Sequence, residues 1–120
     1  MIYTSYFGNL RKLPQEITPI AICHSVPAWY KGKRYPALAP TCQILQEWRA
    51  WHYEEAYRKD FGSILQALNP YTVVTELYAL AESKDIALIC YEKPGDFCHR
   101  HLVADWFMAY GIECREYVPV

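Results

Sequence analysis

The feature that most narrows the fold is the run Asp85-Ile-Ala-Leu-Ile-Cys-Tyr-Glu92, closed by Lys93-Pro-Gly-Asp96. An unbroken apolar stretch this short cannot make a helix of ordinary length, and it lacks the apolar–polar alternation of a half-buried strand. It reads as a strand buried on both faces, the kind found in parallel sheets. Pro19-Ile-Ala-Ile-Cys23 repeats the pattern. Ile2 to Tyr6, β-branched and aromatic and ended by Phe7-Gly8-Asn9, adds a first strand and a turn. Ile112 to Val118 supplies a last strand.

Between these runs the apolar period changes to that of a helix. Thr41 is a plausible N-cap for Ile44, Leu45, Trp48 and Trp51. A second helix is expected over Tyr53 to Leu68, with Ala56, Tyr57, Phe61, Ile64, Leu65 and Leu68 on one side and Gly62 weakening its middle. Asn69-Pro70 opens a third, to about Glu82, as a cap followed by proline at the first helical position. A fourth runs from about Cys98 to Tyr110, buries Leu102, Val103, Trp106 and Phe107, and stops at Gly111. Strands alternating with helices predict a mostly parallel sheet in a three-layer α/β domain. At 120 residues the chain has room for one such domain, spanning 1–120.

Hydrophobic residues at 52% exclude a disordered polymer, and a net charge of -1 argues against a generally basic nucleic-acid binder. No stretch is long and apolar enough to cross a membrane, and Met1-Ile-Tyr-Thr-Ser5 has no signal-peptide character. Five cysteines are an odd number without the spacing of a disulfide scaffold. The cytoplasm is therefore the expected location, with its thiols reduced.

Ligands of open α/β sheets bind beyond the carboxyl ends of the strands. That rule brings together Thr4, Ser5 and Tyr6 from the first strand, Cys23, His24 and Ser25 from the second, and Cys90 and Glu92 from the third. Cys98, His99 and Arg100 join them at a helix start. A thiol at a helix N-terminus beside cations has a lowered pKa, so Cys98 is a candidate nucleophile or positioning group, or else a buried structural cysteine. Arg100 in a first helical turn fits an anion held with backbone N–H groups, or a salt bridge to Asp96 or Glu92. Glu92 suits a general base or an acceptor for a ribose hydroxyl, and His99 completes the candidate catalytic set.

Cys23, Cys90, Cys98, His99 and His101 offer enough ligand types for zinc, but neither a C-x-x-C pair nor an H-x-x-x-H spacing occurs. Adjacent Cys98 and His99 seldom share an ion, so no metal site is assigned. Phosphate-loop, dinucleotide, zinc-protease and serine-hydrolase motifs are absent as well, and no cofactor is named. The breaker-rich segment from Ser25 to Pro40 is long enough to be functional rather than filler. Within it, Trp29-Tyr-Lys-Gly-Lys-Arg34 mixes cations with aromatics as nucleic-acid contacts do, although a solvated surface loop is the stronger reading. Tyr30 and Tyr6 are candidates to flank a ring.

The segment Leu88-Ile-Cys-Tyr-Glu-Lys-Pro-Gly-Asp-Phe-Cys-His-Arg100 resembles the signature of the bacterial and phage family called domain of unknown function 488. In that family a hydrophobic strand ends in Cys-x-Glu and a short loop leads to Cys-His-Arg at a helix start. The matching residues are Cys90, Glu92, Cys98, His99 and Arg100, and Ile2-Tyr-Thr-Ser5 is similar to the family's opening strand. Cys23-His24-Ser25 departs from the acidic residue and arginine usual after the second strand, as a divergent branch would. The resemblance implies a Rossmann-like fold and no particular reaction. The expectation is a protein that binds or processes a nucleotide or another nucleic-acid-derived anion, with Cys98, Glu92 and His99 as its chemistry. The alternatives are a non-catalytic module for a nucleotide signal or a protein partner, and a metal-binding protein using Cys and His.

Overall fold

The short apolar runs do become strands. In the computed structural model, which describes residues 1–93 and 95–119, five strands form one sheet. They are β1 (Ile2–Tyr6), β2 (Ile17–Ala21), β3 (Lys33–Arg34), β4 (Asp85–Cys90) and β5 (Cys114–Glu116), in the order β3-β2-β4-β1-β5. Every neighbouring pair is parallel, with Ile2 opposite both Ile86 and Cys114, and Ile20 opposite both Leu88 and Lys33. Ile86 to Ile89 in β4 have no exposed surface, the burial that their unbroken apolar run requires.

The helices are α1 (Cys42–Trp51), α2 (Glu54–Gln66), α3 (Pro70–Ala81) and α4 (His99–Ala109). Thr41 Oγ1 accepts the Ile44 N–H at 3.1 Å and so caps α1. Asn69 Oδ1 accepts from the N–H groups of Tyr71 and Thr72 at 2.9 and 3.2 Å, with Pro70 next to it. Asn69→Ala should therefore lower stability by about 1 kcal/mol. Urea denaturation checks this as a lower midpoint with an unchanged slope.

The sheet's two faces are covered unequally. Ile20, Ile22, Ile86 and Leu88 pack in one cluster with Ile44, Phe61, Leu65, Val73, Leu77, Val103 and Phe107, so all four helices share that face. The other face, with Ile17, Ala87 and Ile89, is closed by Phe7, Leu10, Leu13, Val26 and Tyr30. These come from a short 3-10 helix at Phe7–Lys12, where the sequence suggests only a turn, and from the segment after β2.

Several boundaries shift. β2 lies two residues earlier than its apolar run, β4 stops at Cys90, and β5 covers only Cys114–Glu116. Leu102 and Trp106 are half-buried rather than core. Pro94, in the expected break after β4, lies outside the described residues. The segment from Ser25 to Pro40, read as wholly irregular, contains β3, held by pairing of Ile20 with Lys33 and of Ala21 with Arg34.

Candidate functional site

The chain leaves β2 toward the face covered by Val26 and Tyr30, whereas it leaves β4 toward α4 on the opposite face. Two adjacent parallel strands whose exits part in this way leave a crevice between their tips. A cleft of about 90 Å³ occupies it. Cys23, His24 and Ser25 line one side, Cys90, Tyr91 and Glu92 the other, and Cys98 and His99 the floor. The remaining wall is Leu45, Trp48, Arg49 and Tyr57 of the α1–α2 hairpin with Pro40 and Phe97. The rings of Trp48, Tyr57 and Phe97 pack on one another at centroid distances of 4.8 to 5.7 Å.

At the floor, His99 is 6% exposed, with its ring edge-to-face against Phe61. Its Nε2 lies 2.6 Å from the Ile22 carbonyl oxygen. A carbonyl can only accept, so Nε2 carries the proton and Nδ1 presents a lone pair. Nδ1 is 3.8 Å from Cys98 Sγ. Burial holds the imidazole pKa down to about 4, against the opposing effect of the Ile22 bond and with help from Arg100. His99 is therefore a neutral acceptor aimed at a thiol.

Cys98 is 3% exposed and stands at the N-cap of α4 in extended conformation, while His99 is the first helical residue. The change of backbone region between neighbours turns the two side chains to one point. The structure sets Cys90 and Cys98 sulfur to sulfur at bonding distance, as in a disulfide, across a Cα separation of 7.6 Å. Disulfides span Cα separations of about 4.4–6.8 Å, so this backbone suits a facing pair of thiols. Cys23, also on the cleft, is a different group: burial, reinforced by Glu92, pushes its thiol up to about 12.

Arg100 corrects the sequence reading. It is fully buried and does not line the cleft. Its Nε and Nη2 each donate at 3.0 Å to the two carboxylate oxygens of Glu116, and its Nη1 donates to Cys90 Sγ at 3.0 Å and to the Glu92 carbonyl at 2.6 Å. Four of the five guanidinium N–H groups are thus engaged, so Arg100 is a strut and not an anion clamp. Its ion-pair partner is Glu116, neither Asp96 nor Glu92. Thr4 belongs to the same strut, donating to Glu116 Oε1 at 2.6 Å, and the Tyr6 ring lies 5.8 Å from the guanidinium carbon.

Ser5 is buried beside Ile89 with no partner for its hydroxyl, and Tyr30 is buried with its hydroxyl on the Lys33 carbonyl at 2.6 Å. Neither reaches the cleft. Seven of the expected residues (Cys23, His24, Ser25, Cys90, Glu92, Cys98 and His99) do line it together. Arg49 and the aromatic wall went unnoticed because Trp48 and Tyr57 carry the helical spacing of ordinary core residues. Among the described residues, no helix is long and apolar enough to cross a membrane.

Neither a curated protein nor a solved structure gives a significant match to the chain. A family model does: the one described as DUF488-N3a, the active DUF488-N3 subclade, matches residues 2–111. That span carries four of the five strands, all four helices and every residue of the cleft, and the chain therefore belongs to the domain of unknown function 488 family.

Proposed function

We propose that the cleft binds one end of a nucleotide or nucleic-acid-derived anion and that the Cys98–His99 pair acts on it. The observation that carries this reading is the neutral imidazole of His99, held in one tautomer by the Ile22 carbonyl with its free nitrogen on Cys98 Sγ. A thiol becomes a nucleophile when an adjacent base takes its proton, and Nδ1 is that base. Sγ then attacks an electrophilic carbon or phosphorus of the ligand as its proton moves to Nδ1, the bond from that centre to the leaving group breaks, and the leaving group departs with the proton from Nδ1. Glu92, exposed at the mouth, exchanges protons with solvent. The description of the matched subclade as active agrees with a working site.

The walls of the cleft support this ligand class. Arg49 supplies a cation, Ser25 a hydroxyl, and among the described residues no side chain caps the start of α4, a helix end that suits an anion. Trp48, Tyr57 and Phe97 offer apolar ring surface. At about 90 Å³ the cleft is well below the roughly 300 Å³ of a pocket that encloses a whole ligand, so it takes a base or a phosphate with its sugar.

Thermal-shift measurements against nucleotides, nucleosides and short single strands test the binding. A member of this set should raise the melting temperature by mass action, and Arg49→Ala should weaken its binding about tenfold. Mass spectrometry of the recovered ligand then separates reaction from mere binding. A ligand returned intact after long incubation overturns the catalytic half, and no shift across the set overturns the ligand class.

A further inference from the structure

We propose that Cys90, Cys98 and His99 form a binding site for a thiophilic divalent cation such as zinc, and that its occupancy silences the thiol. The three ligand atoms, two sulfurs and a ring nitrogen, all lie within 4.8 Å of one another and are buried at the floor of the cleft. This is the borderline-soft donor set that zinc prefers.

Three features fit the site to a cation. First, His99 donates its Nε2 proton to a backbone carbonyl, the outer bond that fixes a metal-binding histidine with its other nitrogen free. Second, Arg100 donates to Cys90 Sγ at 3.0 Å, an outer bond that holds this sulfur in place beside the other two ligand atoms. Third, the distances are right. Tetrahedral zinc bonds of about 2.3 Å to sulfur and 2.0 Å to nitrogen place those ligand atoms roughly 3.5 Å apart, close to the 3.8 Å between Cys98 Sγ and His99 Nδ1. The sulfurs would part to about 3.8 Å, for which a Cα separation of 7.6 Å leaves room. At an N-cap consecutive side chains converge, so the adjacent Cys98 and His99 can share one ion.

Cys90, Cys98 and His99 leave a fourth position, which opens on the cleft. A cation there engages both the sulfur that would attack and the nitrogen that would take its proton. The metal-bound chain and the thiol-reactive chain are therefore exclusive states. The site itself does not depend on the nucleotide reading.

The test uses the full chain, reduced and handled under argon, with cobalt as the spectroscopic probe. One equivalent should bind with thiolate-to-cobalt absorption, and zinc should displace it. Cys90→Ser should weaken binding about tenfold or more, while Cys42→Ser, at an exposed free thiol, should change nothing. In the unaltered chain one equivalent of zinc should slow alkylation of Cys98 about tenfold or more, mapped by mass spectrometry, and a chelator should restore it.

Thiolate absorption missing from a chain whose thiols titrate as free overturns the proposal. So does protection that falls on Cys23 or Cys114 instead of Cys98. The alkylation measurement needs no variant, so a misfolded Cys90→Ser chain does not blunt the test. A chain that ignores both cations yet alkylates quickly at Cys98 removes the metal site and leaves the thiol mechanism standing.

Discussion

Glu116→Ala should destabilise the protein by about 3 kcal/mol, a fall of on the order of 10 °C in melting temperature. The reason is the company Arg100 keeps. Its guanidinium is wholly buried, and Glu116 is its one anionic partner among the described residues. Removing the carboxylate leaves a full charge out of water, with only Cys90 Sγ and the Glu92 carbonyl to accept from it. Breaking a buried pair in this way costs about 3–5 kcal/mol, and the lower end applies because Glu116 is 22% exposed, so water can reach the gap. The double change Arg100→Met with Glu116→Leu should recover most of the loss, since it removes both charges. A loss below about 1 kcal/mol for Glu116→Ala would contradict the strut assignment.

The same strut ties stability to the site. Arg100 bridges β5 to the tip of β4 by holding Cys90 Sγ and the Glu92 carbonyl, and Thr4 of β1 adds a hydroxyl to Glu116. Three neighbouring strands, β4, β1 and β5, are thus cross-linked at their carboxyl ends just behind the cleft. The sheet edge that carries the Cys90 and Cys98 sulfurs is also where the fold keeps its buried charge.

Much of this was legible before any coordinates. Unbroken apolar runs identified β4 and β2, and cap chemistry at Thr41 and Asn69-Pro70 set the starts of α1 and α3 to the residue. The carboxyl-end rule put Cys23 to Ser25, Cys90, Glu92, Cys98 and His99 in one crevice. What failed was whatever depends on strand order. That Glu116 meets Arg100 follows from β1 lying between β4 and β5, which sets Thr4 opposite Glu116. No local spacing carries that information. β3 is only two residues long and exists through its pairing with β2, so its own residues hold no strand signal. The aromatic wall failed for another reason. Trp48 and Tyr57 are buried on one side and line the cleft on the other, and periodicity reports only burial.

Cys98→Ser should lower turnover of any substrate found for the cleft by at least about a thousandfold while leaving the melting temperature within a degree or two. Serine fills nearly the same volume, and Cys98 Sγ carries no bond from Arg100, whose donor goes to Cys90. The fold therefore loses little. The chemistry loses its nucleophile, because a hydroxyl surrenders its proton far less readily than a thiol to a base as weak as buried His99. His99→Asn should cost nearly as much as Cys98→Ser, and combining the two should cost little more, since residues acting as one unit are not additive. Glu92→Gln should slow turnover with less effect than either, as expected of a group exchanging protons at the mouth. Intrinsic reactivity gives a check that needs no substrate. Without added metal, iodoacetamide should modify Cys98 faster than Cys23, whose thiol burial pushes up to about 12, and His99→Asn should erase the difference. Equal alkylation of Cys98 and Cys23 in the folded chain, or variants that simply unfold, would mean that the corner is a piece of core and not an active site.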